Sequence, residues 1–238
     1  GREDAERWGA ERARVTFVAM GRYGGRECSY ASDADVIALH EAVGGASDSE
    51  AAASATAIVN RVKKLLGSAT SQLGIVVDLD LRPEGKNGPM SRTIASHEEY
   101  AQRWASTWER QAAVRARPIG DGELAQAARS LFESMAYRDV SEAEVRDIRL
   151  LKARMENERL PRGTEPARHV KLGPGGLSDV EWTIQLIQIR HGREVEALRT
   201  SSTTDAIAAA RDAGLLEAPD AEILLNAWDL ATRIRAGN

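Results

Sequence analysis

The stretch Met20–Leu39 reads MGRYGGRECSYASDADVIAL and places two adjacent glycines before two aspartates. It admits two interpretations. Ser32, Asp33 and Asp35 could begin a helix, since Ser-x-x-Asp reads as a capping box that satisfies backbone N–H groups. Alternatively, Asp33 and Asp35 could share one face of a strand and hold a metal ion, because strand residues two apart point the same way with Cα atoms roughly 6.5 Å apart.

The segments on either side favour the strand. Val15–Met20 (VTFVAM) is a β-branched and aromatic run that ends at a glycine, and Asp35–His40 (DVIALH) has the composition of a second strand. Leu73–Leu81 (LGIVVDLDL) predicts a third strand, in which apolar residues alternate with polar positions that include Asp78 and Asp80. The first half of the chain is therefore predicted to contain strands.

After about Ser96 nearly every segment has the apolar spacing of a helix. Four of the predicted helices begin with a Ser-x-x-Glu capping box, at Ser96, Ser106, Ser141 and Ser178. A polar helix that contains Ala and Glu is predicted at Arg2–Ala13. The other predicted helices are Glu50–Leu66, Ser96–Ala105, Ser106–Arg115, Gly122–Tyr137, Ser141–Leu160, Ser178–His191, Ser202–Ala213 and Pro219–Ala236. The fold class expected is α+β, with strands first and helices afterwards.

Composition narrows the function classes. The 238 residues include 42% hydrophobic and 29% charged residues, the balance of an ordinary soluble protein, and the net charge of −4 gives no positive field for nucleic acid. No run approaches the roughly 18 apolar residues of a membrane helix. The lone Cys28 suits a reducing compartment, so we expect a cytoplasmic protein without nucleic-acid or membrane partners. Both ends look cut, and we expect a fragment of a longer protein.

The glycines and aspartates together indicate a chemistry. Gly24 and Gly25 directly follow a strand, where backbone N–H groups without side chains can approach phosphate oxygens. Asp78 supplies a third carboxylate beside Asp33 and Asp35, and such hard oxygen ligands suit Mg²⁺. Three carboxylates on two strands beside a glycine loop are typical of two-metal nucleotidyl transfer.

Arginines near these segments have two interpretations each. In TWERQAAVRAR, Arg115 and Arg117 either contact a triphosphate or order the aspartates, or else they lie in water. The same segment is expected to form a capped helix whose Trp108 side chain lies in the protein core. Asp80 is expected to be solvated or paired with Arg82 rather than to be a ligand.

The glycine-rich segment KLGPGGLSDVEW also admits two interpretations. Lys171 and a helix N-terminus could bind an anion or a regulator, whereas the glycines and the Ser178 box favour a tight structural turn, which leaves Asp179 least explained. The four histidines lack ligand spacing, so no zinc site is expected.

Several motifs together carry a family resemblance. GRYGGRECSYASDADVI (21–37), VVDLDLRPEGKNGPMSRT (76–93) and STWERQAAVRARPIGD (106–121) resemble the glutamine synthetase adenylyltransferase family of bifunctional adenylylating and adenylyl-removing enzymes. RHVKLGPGGLSDVEWTIQLIQ (168–188) is similar to a glycine-rich junction in the helical part of that family. The motifs LRPEGKNGPMSRT and GPGGLSDVEW are most similar to those of the C-terminal, adenylylating half of actinobacterial members.

The resemblance implies a polymerase-β-like nucleotidyltransferase domain, with a small mixed sheet and flanking helices, over residues 1–120. A truncated all-α bundle is then implied over residues 121–238. The implied reaction moves AMP from ATP to a tyrosine of glutamine synthetase, with Mg²⁺ or Mn²⁺ as cofactor. Two alternatives stay open: phosphorolysis of AMP-tyrosine to ADP by the adenylyl-removing half, and a module that senses nucleotide or a partner without turnover. Glutamine and a PII-type signalling protein are the implied regulators.

The resemblance also assigns residues. It makes Gly24, Gly25 and Ser32 the phosphate-proximal loop. Asp33 and Asp35 become the paired metal ligands and Asp78 the third catalytic carboxylate.

Overall fold

A computed structural model describes residues 11–29, 32–67, 74–160, 163 and 165–237. The described residues form a small mixed sheet and a set of helices, so the predicted α+β class is confirmed. The chain divides into two compact units, one of residues 1–105 with 115–132 and one of residues 106–114 with 133–238. The predicted helix Arg2–Ala13 falls mostly outside the described residues, and Ala13 already belongs to a strand.

The sheet belongs to the first unit. Its strand order is β3-β2-β1-β4, and β1 pairs antiparallel with both β2 and β4, whereas β3 runs parallel to β2. The strands are β1 (Ala13–Ala19), β2 (Ala34–Ala42), β3 (Val77–Asp78) and β4 (Arg117–Pro118). The predicted first two strands are confirmed, while β4 follows the predicted helix Ser106–Arg115 at a place where no strand was predicted.

The described helices occur in both units. They are α1 (Gly21–Gly24), α2 (Asp48–Gly67), α3 (Ile94–Arg103), α4 (Thr107–Ala113), α5 (Glu123–Ala136), α6 (Glu142–Glu158), α7 (Leu177–His191), α8 (Thr203–Asp212) and α9 (Ala218–Gly237). The helix α1 lies in the stretch that was predicted as a glycine loop, and every other helix starts or ends within a few residues of its predicted bounds. Single 3₁₀ turns occur at Gly85–Asn87, Pro166–Arg168 and Glu196–Leu198. None of the helices in the described part of the chain is long and apolar enough to cross a membrane.

The core of the first unit fixes which way the strands face. Val59 of α2 packs in a buried cluster with Val36 and Ala38 of β2 and with Val77 and Leu79 around β3. Side chains alternate along a strand, so the residues between these point to the opposite face of the sheet. That opposite face is where the sequence places its carboxylates.

The third strand is much shorter than predicted. The expected strand Leu73–Leu81 is reduced to Val77–Asp78, Leu73 lies outside the described residues, and Ile75 and Val76 are 47% and 60% exposed. The chain turns at once because the buried Arg82 guanidinium donates hydrogen bonds to the carbonyl oxygens of Leu79 (2.9 Å) and Gly88 (3.2 Å). Alternation of apolar residues thus predicted the burial of Val77 and Leu79 but not the length of the strand.

Two of the four predicted capping boxes form. Ser106 and Ser141 cap α4 and α6 with Glu109 and Glu144 as their reciprocal partners. The other two predictions are wrong: the cap of α3 is Thr93, which accepts from the Ser96 N–H, and the cap of α7 is Gly176. In both cases the helix begins earlier than the serine, so the serine side chain lies inside the first turn.

The second unit is held by an apolar cluster that includes Leu177, Ile184, Leu198, Ile207 and Trp228. The expectation that the apolar stripes of the later helices are core holds only in part, because Ile223 and Leu230 of α9 are 64% and 60% exposed. The predicted burial of Trp108 is wrong, since this indole is 39% exposed. Arg110, Gln111 and Ala113 are the buried residues of α4, and Arg110 pairs with Glu144 at 3.1 Å.

Candidate functional site

The question raised by Ser32, Asp33 and Asp35 is settled by the backbone. The strand β2 begins at Ala34, directly between the two aspartates, so the helix-start interpretation is wrong. Ser32 instead closes a short loop, in which its Oγ accepts a hydrogen bond from the Ser29 N–H at 3.0 Å. Asp33 is exposed and Asp35 is partly buried.

The register of β2 and β3 brings two of the predicted carboxylates together. Asp35 and Asp78 are direct partners across the parallel pair, which places their Cα atoms about 4.8 Å apart on one face. This is the face opposite to α2, because Val36 and Val77 pack toward that helix. Asp33 lies two residues before Asp35, at the same end of β2.

Asp78 and Asp80 have different environments. Asp78 Oδ1 accepts a hydrogen bond from the Asp80 N–H at 2.7 Å, which holds this carboxylate at the end of β3. The Asp80 carboxylate lies 3.3 Å from Lys86 Nζ and 3.8 Å from the Arg82 guanidinium. The prediction that Asp80 is an exposed, arginine-paired residue is confirmed, as is the pairing of Arg82.

The turn after β1, formed by residues 21–25 and called the glycine turn below, needs glycine at two positions because other atoms lie close to their Cα atoms. A Cβ on Gly21 would lie 3.1 Å from Asp35 Oδ2, and Gly21 has a φ of +51°. A Cβ on Gly24 would lie 1.8 Å from the carbonyl oxygen of Arg115. The turn therefore packs directly against an aspartate of the site on one side and against the segment that leads into β4 on the other.

The N–H groups of the glycine turn are used within the turn itself. Gly24 N–H donates to Met20 O at 2.7 Å, and Gly25 N–H donates to Gly21 O at 3.2 Å. The roles of Gly24, Gly25 and Ser32 in phosphate binding stay predictions, and the close approach of Arg115 O gives Gly24 an independent structural reason to lack a side chain.

Arg115 and Arg117 hold the glycine turn through hydrogen bonds to its carbonyl oxygens. The buried Arg115 donates to Gly21 O at 3.1 Å and forms an ion pair with Glu27. Arg117 donates to Gly24 O at 2.8 Å, and its guanidinium carbon lies 5.8 Å from the centre of the Tyr23 ring. The placement matches the interpretation in which these arginines order the aspartates, since the turn they hold touches Asp35; their contact with a triphosphate stays a prediction.

The donor chemistry of the site suits a hard divalent cation. Asp33, Asp35 and Asp78 offer only carboxylate oxygens, which Mg²⁺ and Mn²⁺ prefer. Across the described ranges, however, no three His, Cys, Asp or Glu side chains are placed as a group that could hold a metal ion. Two of the carboxylates are adjacent by strand register, and binding of a metal by all three stays a prediction.

The glycine-rich segment before α7 is a packed turn, as expected. A Cβ on Gly173 would lie 2.1 Å from Pro166 O, and Asp179 Oδ2 accepts a hydrogen bond from the Gly175 N–H at 2.7 Å. Asp179 also pairs with Lys152. Burial lowers the pKa of Lys152, but hydrogen bonds to Asp179 and Glu156 outweigh it, so that the pKa is raised overall. These contacts explain Asp179, and Lys171 is exposed.

Sequence reasoning missed Arg22 and Glu27, which lie in the same quoted stretch. The Arg22 guanidinium donates to Glu27 O at 2.9 and 2.7 Å, and Glu27 is the partner of Arg115. Their spacing gives no periodic signal, because the turn is irregular. Only the charge density of GRYGGRE could have drawn attention to them.

Comparison with known proteins gives independent evidence of the family. A family model described as glutamate-ammonia ligase adenylyltransferase matches residues 3–131, and one described as GlnD PII-uridylyltransferase matches residues 149–237. The chain is 48% identical over 234 residues to a bifunctional glutamine synthetase adenylyltransferase/adenylyl-removing enzyme of Streptomyces coelicolor, covering 97% of the chain and 23% of the relative.

Two further relatives carry the same name. The match in Streptomyces avermitilis is 50% identical over 225 residues, and the match in Bifidobacterium longum subsp. infantis is 48% identical over 231 residues. They cover 93% and 95% of the chain, and 22% of each relative. The chain thus spans less than a quarter of the length of these proteins.

Proposed function

Because the chain belongs to the glutamate-ammonia ligase adenylyltransferase family, we propose that it is a nucleotidyltransferase that moves AMP from ATP to a tyrosine hydroxyl of glutamine synthetase. The observation that carries the proposal is the pairing of Asp35 with Asp78 across β2 and β3, beside a glycine turn that packs on Asp35. Asp33 completes the carboxylate set at the same end of β2.

The reaction is a displacement at the α-phosphorus. The tyrosine oxygen forms a bond to this phosphorus while the bond to the bridging oxygen of the β-phosphate breaks, and pyrophosphate leaves. The tyrosine proton goes to the Asp78 carboxylate. Asp78 Oδ1 already accepts the Asp80 N–H, which leaves Oδ2 to take the proton.

Asp33, Asp35 and Asp78 would hold the divalent metal, Mg²⁺ or Mn²⁺. The bound ion supplies charge neutralisation of the triphosphate and polarisation of the attacking hydroxyl. The rest of the chain positions these carboxylates: Arg115 and Arg117 hold the glycine turn, and the turn contacts Asp35.

The same site supports a second candidate, the adenylyl-removing reaction. The names of these relatives cover both activities. In this direction an oxygen of hydrogen phosphate forms a bond to the phosphorus of AMP-tyrosine while the bond from this phosphorus to the tyrosine oxygen breaks, which forms ADP. Asp78 takes the proton of the attacking phosphate and passes it to the departing tyrosine oxygen. Carboxylates that serve one direction serve the other, so geometry favours neither.

Regulation and partners follow from the same proposal. Glutamine synthetase is the protein substrate in either direction. A PII-type signalling protein is proposed as a regulator, supported by the match of residues 149–237 to a family named for PII uridylylation. Glutamine as a second regulator and a cytoplasmic location rest on the family resemblance.

The test supplies labelled ATP with unmodified glutamine synthetase in one assay, and adenylylated glutamine synthetase with phosphate in another. Asp33→Ala and Asp35→Ala should each lower the active reaction at least about a hundredfold, as loss of a metal ligand implies. Asp80→Asn is the matched control and should retain activity, because the Asp80 carboxylate pairs with Lys86 and Arg82, and the hydrogen bond from Asp80 to Asp78 comes from its backbone N–H, which asparagine keeps.

The outcomes separate the candidates. Label transfer in the first assay supports adenylylation, and release of ADP in the second supports the reverse reaction. Full activity in both alanine variants would end the metal assignment. A folded chain that is inactive in both assays and still binds ATP would support a sensing module instead.

A further inference from the structure

Helix α6 has an exposed ridge on which arginines surround a large apolar side chain. The exposed residues between positions 146 and 154 are called the α6 ridge below: Arg146, Asp147, Arg149, Leu150, Ala153 and Arg154. Leu150 is 60% exposed. The fold gains little from a leucine in this position, because complete burial of such a side chain would be worth about 1.5–3 kcal/mol. The ridge therefore has an apolar centre with charges around it.

A groove lies on each side of the ridge, and each groove contains a tryptophan and an arginine. The first groove, of about 270 Å³ between α4 and α6, is lined by Trp108, Leu150 and Arg154. The second groove, of about 430 Å³ between α6 and α7, is lined by Trp182 and Arg149. Both grooves belong entirely to the second unit. Tryptophan and arginine are among the residues that most often carry the binding energy of protein interfaces, and exposed apolar patches mark such interfaces.

The arginines of the ridge are free for a partner. Arg146, Arg149 and Arg154 are exposed and have no hydrogen bond or ion pair within the described ranges of the chain. Asp147 is the carboxylate of the ridge, so the ridge carries positive charge although the net charge of the chain is −4. Positive charge around an apolar centre is complementary to a surface on which carboxylates flank apolar side chains.

A transferase that modifies a protein needs contacts beyond the reacting side chain. A stable protein interface buries roughly 1,200–2,000 Å², far more than one tyrosine offers. Contacts with remote parts of a substrate supply this affinity.

We propose that the α6 ridge and its two grooves dock the protein substrate, through a segment in which carboxylates flank apolar side chains. The carboxylates pair with Arg149 and Arg154, and the apolar side chains enter the grooves beside Trp108 and Trp182. The inference rests on the proposed function and deepens it, because it assigns a docking surface to the protein whose tyrosine is modified.

The experiment varies the concentration of glutamine synthetase, unmodified or adenylylated according to the reaction that the 238-residue chain performs. A variant with both Arg149→Glu and Arg154→Glu should raise the KM for glutamine synthetase at least about tenfold, while kcat and the KM for the nucleotide or phosphate stay within about twofold. Leu150→Asp should have the same effect. Arg149→Ala introduces no repulsion and should raise the KM less.

Salt dependence distinguishes docking by charge from a merely structural role. The wild-type KM for glutamine synthetase should rise as NaCl increases from about 0.05 to about 0.3 M, and the arginine double variant should lose most of this rise. Thermal midpoints of all ridge variants should match that of the wild type, because the altered side chains are exposed.

Two matched controls make the same chemical changes elsewhere. Arg129→Glu changes an exposed arginine of α5 that has no partner in the described part of the chain. Ile223→Asp changes an isoleucine of α9 that is 64% exposed. Both controls should leave the KM for glutamine synthetase within about twofold of the wild-type value.

Binding measured without turnover separates this inference from the proposed function. Biolayer interferometry with immobilised glutamine synthetase reports docking directly. A wild-type chain that performs neither reaction but binds glutamine synthetase, with affinity lost in the ridge variants, would support the docking surface and overturn the proposed function.

Three results would overturn the docking surface and leave the proposed function intact. The first is a KM for glutamine synthetase that is unchanged in the ridge variants or raised equally in the controls. The second is a loss confined to binding of a PII-type protein, since the ridge would then serve a regulator. The third is a wild-type dimer in sedimentation that the ridge variants dissociate, since a second copy would then cover the ridge.

Discussion

Gly24→Ala is the substitution whose effect can be worked out most directly from the structure. The added Cβ would lie 1.8 Å from Arg115 O and 2.8 Å from Ala19 O, whereas real Cβ atoms stay at least 3.0 Å from such atoms. The Arg115 backbone must therefore move by at least 3.0 − 1.8 = 1.2 Å. It cannot do so alone, because Arg117, two residues later, pairs with Ala19 in the sheet.

The cost has two parts. Overpacking of a close backbone contact costs about 1–3 kcal/mol, and each ladder hydrogen bond lost between β1 and β4 adds about 1 kcal/mol. We expect the free energy of unfolding to fall by about 3 kcal/mol, which corresponds to a loss of about 10 °C in thermal midpoint.

Circular dichroism during heating and in urea measures this loss. Gly122→Ala is the matched control, because a Cβ on Gly122 meets nothing within 4 Å and its φ is outside the left-handed region. The control should stay within about 0.5 kcal/mol of wild type. Equal midpoints for the two alanine variants would refute the reasoning, since they would mean that the turn can open without cost.

Two further predictions concern a helix cap and a buried histidine. Ser141→Ala removes the cap that accepts from the Glu144 N–H at 3.2 Å and should cost about 1 kcal/mol in urea unfolding. Ser178→Ala should cost less than about 0.5 kcal/mol, since the Ser178 hydroxyl has no hydrogen-bond partner in the described structure; equal losses would contradict this difference. His97 packs edge-on against Phe132, and burial lowers its pKa from 6.5 to about 4. The unfolded chain binds this proton more readily, so stability is complete above about pH 6.5 and falls by about 3 kcal/mol as the pH drops toward 4. His97→Leu should flatten that part of the pH profile of urea midpoints, and parallel profiles would show that His97 does not titrate as described.

The sequence predicted helices and caps correctly where the interactions that form them lie within a few residues of one another. The apolar spacing of α6 and α7 predicted both helices, and the box at Ser141 formed because Glu144 is only three residues away. The boxes at Ser96 and Ser178 failed for a physical reason: Thr93 and Gly176 begin the helices earlier. A Ser-x-x-Glu pattern does not say whether a preceding residue is already helical.

Features that depend on contacts between distant segments were harder to predict from the sequence. The strand at Leu73–Leu81 was predicted from alternation, but its length depends on Arg82, whose hydrogen bonds turn the chain after Leu79. β4 has only two residues, Arg117 and Pro118, and exists because β1 offers an unpaired edge. Neither the length of β3 nor the presence of β4 can be predicted from the local pattern of residues.

The sequence by itself determined the α+β class, the first two strands, the helices of the second half and the residues that carry charge in the candidate site. It also carried the family resemblance, since motif order is a property of the chain alone. Only the tertiary structure decided that Asp35 and Asp78, 43 positions apart, are strand partners, and that Arg115 and Arg117 hold the glycine turn. The physical reason is that strand register and close backbone approach are set by contacts between distant segments. No property of either segment taken singly contains them.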